Sequence, residues 1–243
     1  MANVINQVVE YQCNGVDHQG YAALIENGDN PRPLVIVIHE WWGVNNYIKS
    51  RVNSIAKLGY NALAIDMYGG GLVAENPTQA NELMSSVLQD MPIGTARLQA
   101  GFDAGKALSG VDAGRCAAMG YCFGGAMALH MARIGMPLKI AASFHGSLGS
   151  FHKPAPGEVQ ASILVCHGES DEMVSMQDVA NFRQEMDEAE ADYQVVVYPG
   201  AQHGFTSQEA DGNGAKYGIP VGYQKMADEL SWQAMTELFE QKL

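Results

Sequence analysis

The stretch 119-MGYCFGGAMALHMAR-133 decides how this chain is read. A short apolar run, "RCAAMG" (Arg115 to Gly120), leads into it, and residues 125–134 carry helical periodicity. The glycine-flanked cysteine therefore falls on a turn between a strand and a helix. Gly120-Tyr121-Cys122-Phe123-Gly124 has the spacing Gly-x-nucleophile-x-Gly of a nucleophile elbow, with cysteine in the nucleophile position. The glycines have a steric purpose: a side chain at either one would clash with the neighbouring strand or helix, while the cysteine is forced into a strained conformation that exposes its sulfur. The helix that follows favours negative charge, hence thiolate, at its N-terminus. Taken alone, the pentapeptide also fits an ordinary strand-to-helix corner with an inert cysteine, so its partners have to decide.

Outward from this point, short and nearly continuous apolar runs recur: "PLVIVIH" (Pro33 to His39), "NALAID" (Asn61 to Asp66), "KIAASFH" (Lys139 to His145), "SILVCH" (Ser162 to His167) and "YQVVVYP" (Tyr193 to Pro199). Such runs fit strands buried on both faces of a mostly parallel sheet. Helical periodicity fills the gaps over 47–58, 77–89, 95–108, 125–134, 176–189 and 224–243. In the last of these, Met226, Leu230, Met235, Leu238 and Phe239 are expected to form the apolar stripe. Upstream, "VVEYQCNGVDHQGYAALI" sets two β-prone runs around Asn14-Gly15, which signals an antiparallel hairpin. The fold class that follows is α/β: a mostly parallel, doubly wound sheet flanked by helices, with an N-terminal antiparallel hairpin. The long irregular stretch is Ser207 to Tyr223.

The 243 residues, 47% of them hydrophobic, show no compositional break and are expected to form a single domain, 1–243. A net charge of −13 repels phosphate backbones and anionic lipid, and the basic residues are scattered, so neither nucleic acid nor membrane is an expected partner. "MANVINQVVEYQ" lacks the pattern of a signal peptide, and no apolar run approaches bilayer-spanning length. Cys13, Cys116, Cys122 and Cys166 have neither zinc-ligand spacing nor the density of a disulfide scaffold. The expectation is a cytoplasmic monomer or homodimer with free thiols.

A nucleophilic cysteine needs a base to take its proton and an acid to orient that base, and in this topology they follow in the order nucleophile, acid, histidine. After "SILVCH" comes "GESDEMV", and after "YQVVVYP" comes "GAQHGF". Asp171 and His203 therefore stand at the ends of later strands in the required order, with Glu169 and Glu172 as neighbouring acids. His39, His145 and His167 also sit at strand ends as rival bases. No two of these histidines have close ligand spacing, so neither a metal nor another cofactor is expected.

Together "HEWWGVN" (His39 to Asn45), "DMYG" (Asp66 to Gly69), "GYCFGG" (Gly120 to Gly125), "HGESDEMV" (His167 to Val174) and "YPGAQHGFT" (Tyr198 to Thr206) resemble the dienelactone hydrolase family in order and spacing. The resemblance covers nearly the whole chain. It implies an α/β-hydrolase fold with Cys122, Asp171 and His203 as catalytic triad, and with Glu40 beside the resting thiol, helping convert it to thiolate when substrate arrives. The oxyanion hole of such a fold comes from backbone N–H groups, here those of Trp41 and Phe123. Trp41, Tyr68, Tyr121, Phe123 and Phe205 are expected to line an aromatic pocket.

The chain departs from the family where arginines would grip a substrate carboxylate: Gly70 and Ser207 stand there instead. A neutral ester or lactone, rather than dienelactone itself, is the expected substrate. Lys153 or Lys216, both in expected loops, could replace the missing cations. The leading reading is a cysteine-dependent ester or lactone hydrolase. The other is a non-hydrolytic small-molecule binder or thiol-based redox sensor on the same fold.

Overall fold

The computed structural model describes residues 3–26 and 30–243. The chain clusters into two compact units, residues 1–118 and 119–243.

In the first unit, β1 (Asn3–Cys13) and β2 (Val16–Glu26) form the expected hairpin. Its two turn residues, Asn14 and Gly15, both have positive φ, 51° and 78°, the geometry whose twist matches that of the flanking strands. β2 continues antiparallel onto β4 (Asn61–Ile65), and β4 pairs in parallel with β3 (Arg32–Ile38). Every residue of β4 is buried, as its unbroken apolar run requires. α1 (Asn46–Lys57) starts at Asn45, whose side chain accepts the Ile48 N–H. α2 (Pro77–Leu88) is capped in the same way by Asn76. α3 (Met91–Lys106) begins four residues before the periodicity predicts, because Asp90 caps it and Pro92 fits the first turn. A Cβ on Gly101 would lie 2.7 Å from Ile65, so the helix lies closer to β4 than any larger residue allows.

The second unit holds α4 (Phe123–Arg133), β6 (Ile140–Phe144), β7 (Ser162–Gly168), α5 (Met176–Glu188) and β8 (Tyr193–Tyr198), with β6, β7 and β8 parallel in register. β5 (Val111–Tyr121) runs through the boundary between the units. Among the described residues, hydrogen bonding orders the strands β1-β2-β4-β3-β5-β6-β7-β8, an α/β arrangement of the class expected. Arg133, at the end of α4, is fully buried. It makes a paired contact with Glu185 of α5 at 2.7 and 2.9 Å and donates to the carbonyls of Leu148 and Gly149. This fork fastens the segment after β6 to two helices.

Two expectations need correction. The stretch Ser207 to Tyr223 contains a helix, α6 (Ala210–Tyr217), closed by Gly218 in the left-handed conformation; Gly212 and Gly214 weaken its periodic signal. Lys216 therefore sits on a helix, not in a loop. On α7 (Lys225–Lys242) the buried residues are Ala227, Ser231, Met235 and Phe239, a strict four-residue spacing, while Met226 and Leu230 are 58% and 47% exposed. Burial at 227, 231, 235 and 239 puts Met226 and Leu230 on the outer side of the helix. No helix among the described residues is long and apolar enough to cross a membrane.

Candidate active site

The site begins with the turn between β5 and α4. Cys122 has φ 53° and ψ −117°, a region that non-glycine residues adopt only under constraint. Sterics explain Gly120: a Cβ there would stand 2.0 Å from the Gly124 carbonyl oxygen. The Cys122 N–H donates to the Phe144 carbonyl at 3.0 Å, and its own carbonyl accepts from Gly125 and Ala126 at 3.0 and 3.3 Å. These bonds hold the strained turn from both sides. The thiol is half-buried, whereas Cys13, Cys116 and Cys166 are buried. Phe123 opens α4, so its N–H stands at the positive end of the helix dipole.

Asp171 and His203 meet. His203 Nδ1 donates to Asp171 Oδ2 at 2.8 Å, while Asp171 Oδ1 accepts the N–H groups of Met173 and Val174 at 2.8 and 3.0 Å. Burial pushes the Asp171 carboxyl up, but the histidine and the two backbone donors outweigh it and hold the group below the usual carboxylate range. Glu169 is turned elsewhere and accepts the Gly200 N–H at 3.1 Å. Glu172 is exposed. Burial would drive the His203 imidazole down; the Cys122 sulfur as charge partner, with Asp171 on Nδ1, reverses this and holds it at about 10. His203 Nε2 is buried, and the Cys122 side chain is its hydrogen-bonding and charge partner.

The rival histidines have other surroundings. His39 is buried in the first unit; its Nε2 accepts the Met67 N–H at 3.2 Å, so its Nδ1 carries the proton that goes to the Glu40 carbonyl. Burial holds His39 low, and a neutral ring suits that arrangement. His145 is fully buried, with Nε2 2.7 Å from Thr206 Oγ1. His167 is buried at the end of β7, and burial lowers it against the pull of Asp171.

Glu40 and Trp41 follow β3 in the first unit. Glu40 is buried, and the Trp41 carbonyl accepts the Tyr68 hydroxyl at 2.9 Å. Tyr68 belongs to the loop after β4, organised by Asp66, whose carboxylate accepts N–H groups from Gln19, Tyr68, Gly69 and Gly71. Tyr68, Tyr121 and Phe205 are all buried. Tyr121 stacks on Phe144, and Phe205 meets the edge of His145, so these rings are packed against the framework of the site. Of the two candidate cations, Lys153 pairs with Glu188 at 2.8 Å and Lys216 lies over the Tyr217 ring.

Two features escaped the sequence reading. One is the His145–Thr206 hydrogen bond. The other is a tight contact in which Cβ atoms on Gly125 and Gly146 would lie 2.6 and 2.4 Å from Ser143 Oγ. Among the described residues no group of three His, Cys, Asp or Glu side chains is arranged to hold a metal.

Residues 19–243 match the profile of the dienelactone hydrolase family. "Protein usf" of Aquifex pyrophilus is 31% identical over 213 residues, 85% of this chain and 90% of that protein. The crystal structure of a dienelactone hydrolase-like promiscuous phosphotriesterase from metagenomic libraries is 33% identical, with a TM-score of 0.89 over 100% of this chain and 99% of the other. A structure named "m3DLH" is 30% identical, with a TM-score of 0.91 over 99% of each chain. Family match, sequence identity and shared fold agree: the chain belongs to the dienelactone hydrolase family of α/β-hydrolases.

Proposed function

We propose that this protein hydrolyses neutral carboxylic esters or lactones through Cys122, with His203 as acid and base and Asp171 orienting the ring. The observation that carries the reading is the strained Cys122 turn in one unit with a histidine whose Nδ1 is fixed by a buried aspartate. In the first half-reaction the Cys122 thiolate attacks the carbonyl carbon, and the C=O electron pair moves onto oxygen. The Phe123 and Trp41 N–H groups are assigned as donors to that oxyanion. As the tetrahedral intermediate collapses, the C–O bond breaks and the His203 imidazolium gives its proton to the departing alkoxide. A thioester on Cys122 remains. Water then attacks it, His203 takes the water proton, and the thiolate leaves as the acid product forms.

Glu40 is assigned as the carboxylate that accepts the thiol proton when substrate arrives, leaving the thiolate beside the His203 imidazolium, and that returns the proton to sulfur once the acid product has left.

Charge supports the neutral substrate. Gly70 and Ser207 offer no cation, and Lys153 is already paired with Glu188. Losing a bidentate arginine removes the strongest device for fixing a carboxylate. The relative named a promiscuous phosphotriesterase makes neutral phosphotriesters a second class worth assaying. The test is a panel of matched neutral and acidic esters and lactones, with Cys122→Ala as control and mass spectrometry of the quenched enzyme. The expected result is turnover of neutral substrates with an acyl adduct on Cys122. Turnover undiminished in Cys122→Ala refutes the reading, and a thiol that is oxidised reversibly without any acyl turnover favours the sensor.

A further inference from the structure

We propose that the end of β6 is the gauge that sets the spacing between nucleophile and base, with His145 and Thr206 acting as positioning residues for His203. The proposal rests on the reading of Cys122 and His203 given above. Two adjacent residues make the connection. The Phe144 carbonyl holds the Cys122 N–H at 3.0 Å, which fixes the nucleophile's backbone to the strand end. His145, the next residue, holds the other side: its Nε2 bonds Thr206 Oγ1 at 2.7 Å, and its ring meets that of His203 at 5.2 Å, inclined by 63°. Thr206 lies three residues beyond His203, so this hydrogen bond closes a loop of chain around the base.

The local backbone is built for this arrangement. His145 has φ 41°, a costly conformation for a non-glycine residue, and such strain persists only where surroundings over-determine it. Here the His145 N–H donates to the Cys166 carbonyl at 2.8 Å, and the rings of Phe205 and Tyr121 stand 5.2 and 6.0 Å away. The following residue presses on the nucleophile's helix: a Cβ on Gly146 would stand 2.8 Å from the Gly125 carbonyl carbon and 2.9 Å from the Ala126 nitrogen. One strand end thus touches the nucleophile's N–H, the first turn of its helix and the ring of the base. Proton transfer and attack both depend on that spacing, and a displacement of about 1 Å can cost about a hundredfold in rate.

The experiment compares Thr206→Val, Thr206→Ser, His145→Phe and the double variant Thr206→Val/His145→Phe in the full chain, using 4-nitrophenyl acetate. Thr206→Val and His145→Phe should each lower kcat by about ten- to a hundredfold with KM little changed. Thr206→Ser keeps the hydroxyl and should retain activity. The double variant should be no worse than the poorer single one, because both changes remove the same bond. Retained kcat in Thr206→Val, an equal loss in Thr206→Ser, or losses that multiply in the double variant would each overturn the gauge. Should His145→Phe fail to fold, the two Thr206 variants decide. Cys122→Ala and His203→Ala run alongside: if they keep turnover, the reading of the site falls and the gauge with it. If they lose turnover while Thr206→Val keeps it, the gauge alone falls.

Discussion

Replacing Asp171 by asparagine should abolish most catalysis while leaving the fold nearly intact, because of which oxygen holds which donor. Oδ1 accepts two backbone N–H groups, from Met173 and Val174, and Oδ2 accepts from His203 Nδ1. Asparagine has one carbonyl oxygen. The backbone donors claim it, since an NH2 turned toward them would set donor against donor. The amide NH2 then faces His203 Nδ1, which must become an acceptor. In neutral imidazole that moves the proton to Nε2, the nitrogen that has to take one. A base locked in the wrong tautomer loses on the order of 10⁴-fold in kcat. That is less than the loss on deleting Cys122 or His203, which should match each other because nucleophile and base act as a unit. Stability separates the two substitutions at 171. Asp171→Ala gives up three hydrogen bonds to a charged group at about 1.5 kcal/mol or more each, upward of roughly 4 kcal/mol in all, whereas Asp171→Asn keeps the two backbone bonds and should cost less than half of that. Steady-state kinetics on a neutral ester, with urea denaturation of both variants, measures each quantity. A folded Asp171→Asn enzyme within about tenfold of wild type in kcat would refute the assignment of His203 as an Asp171-oriented base.

Brief alkylation followed by peptide mass spectrometry should label Cys122 first: burial pushes Cys116 up to about 11 and Cys166 to about 12, and preferential labelling of either would count against the nucleophile assignment. Asp66 and Asp171 are held below their unfolded pKa, so their stabilisation is present above about pH 4 and lost as pH falls through the folded values. Asp66→Asn should flatten that acid limb in urea midpoints, and an unchanged limb would refute its role. Arg133→Met should cost about 3–5 kcal/mol in urea denaturation by leaving Glu185 without its partner, and a loss below about 1 kcal/mol would show the fork to be unimportant. A neutral ester should exceed its carboxylate analogue in kcat/KM by about ten- to a hundredfold, and Gly70→Arg should narrow the gap. A Cβ at Gly70 meets nothing within 4 Å, though φ 63° adds roughly 1–2 kcal/mol of strain; a wild-type preference for the carboxylate would refute the argument.

The features legible in the sequence are those encoded by neighbours along the chain. Continuous apolar runs such as "PLVIVIH" and "SILVCH" need burial on both faces, and they became β3 and β7. Asn14-Gly15 specifies a tight hairpin because both residues tolerate positive φ. Gly120 before Cys122 is a local steric requirement, so the turn could be placed without knowing what surrounds it. Tertiary packing decided the rest. Glu169, Asp171 and Glu172 share one short loop, and only the fold turns Asp171 toward His203 while giving Glu169 to the Gly200 N–H. α6 was obscured by glycines whose low helix propensity is overridden in the folded chain. The buried face of α7 carries the small residues Ala227 and Ser231 along with Met235 and Phe239, and leaves Met226 and Leu230 outside, a choice of face that periodicity alone left open. The bond between His145 and Thr206 joins residues 61 positions apart, and no periodicity along the chain records such a pairing. Backbone conformation is largely a property of adjacent residues, whereas the choice among equivalent polar groups depends on which distant segment arrives beside them.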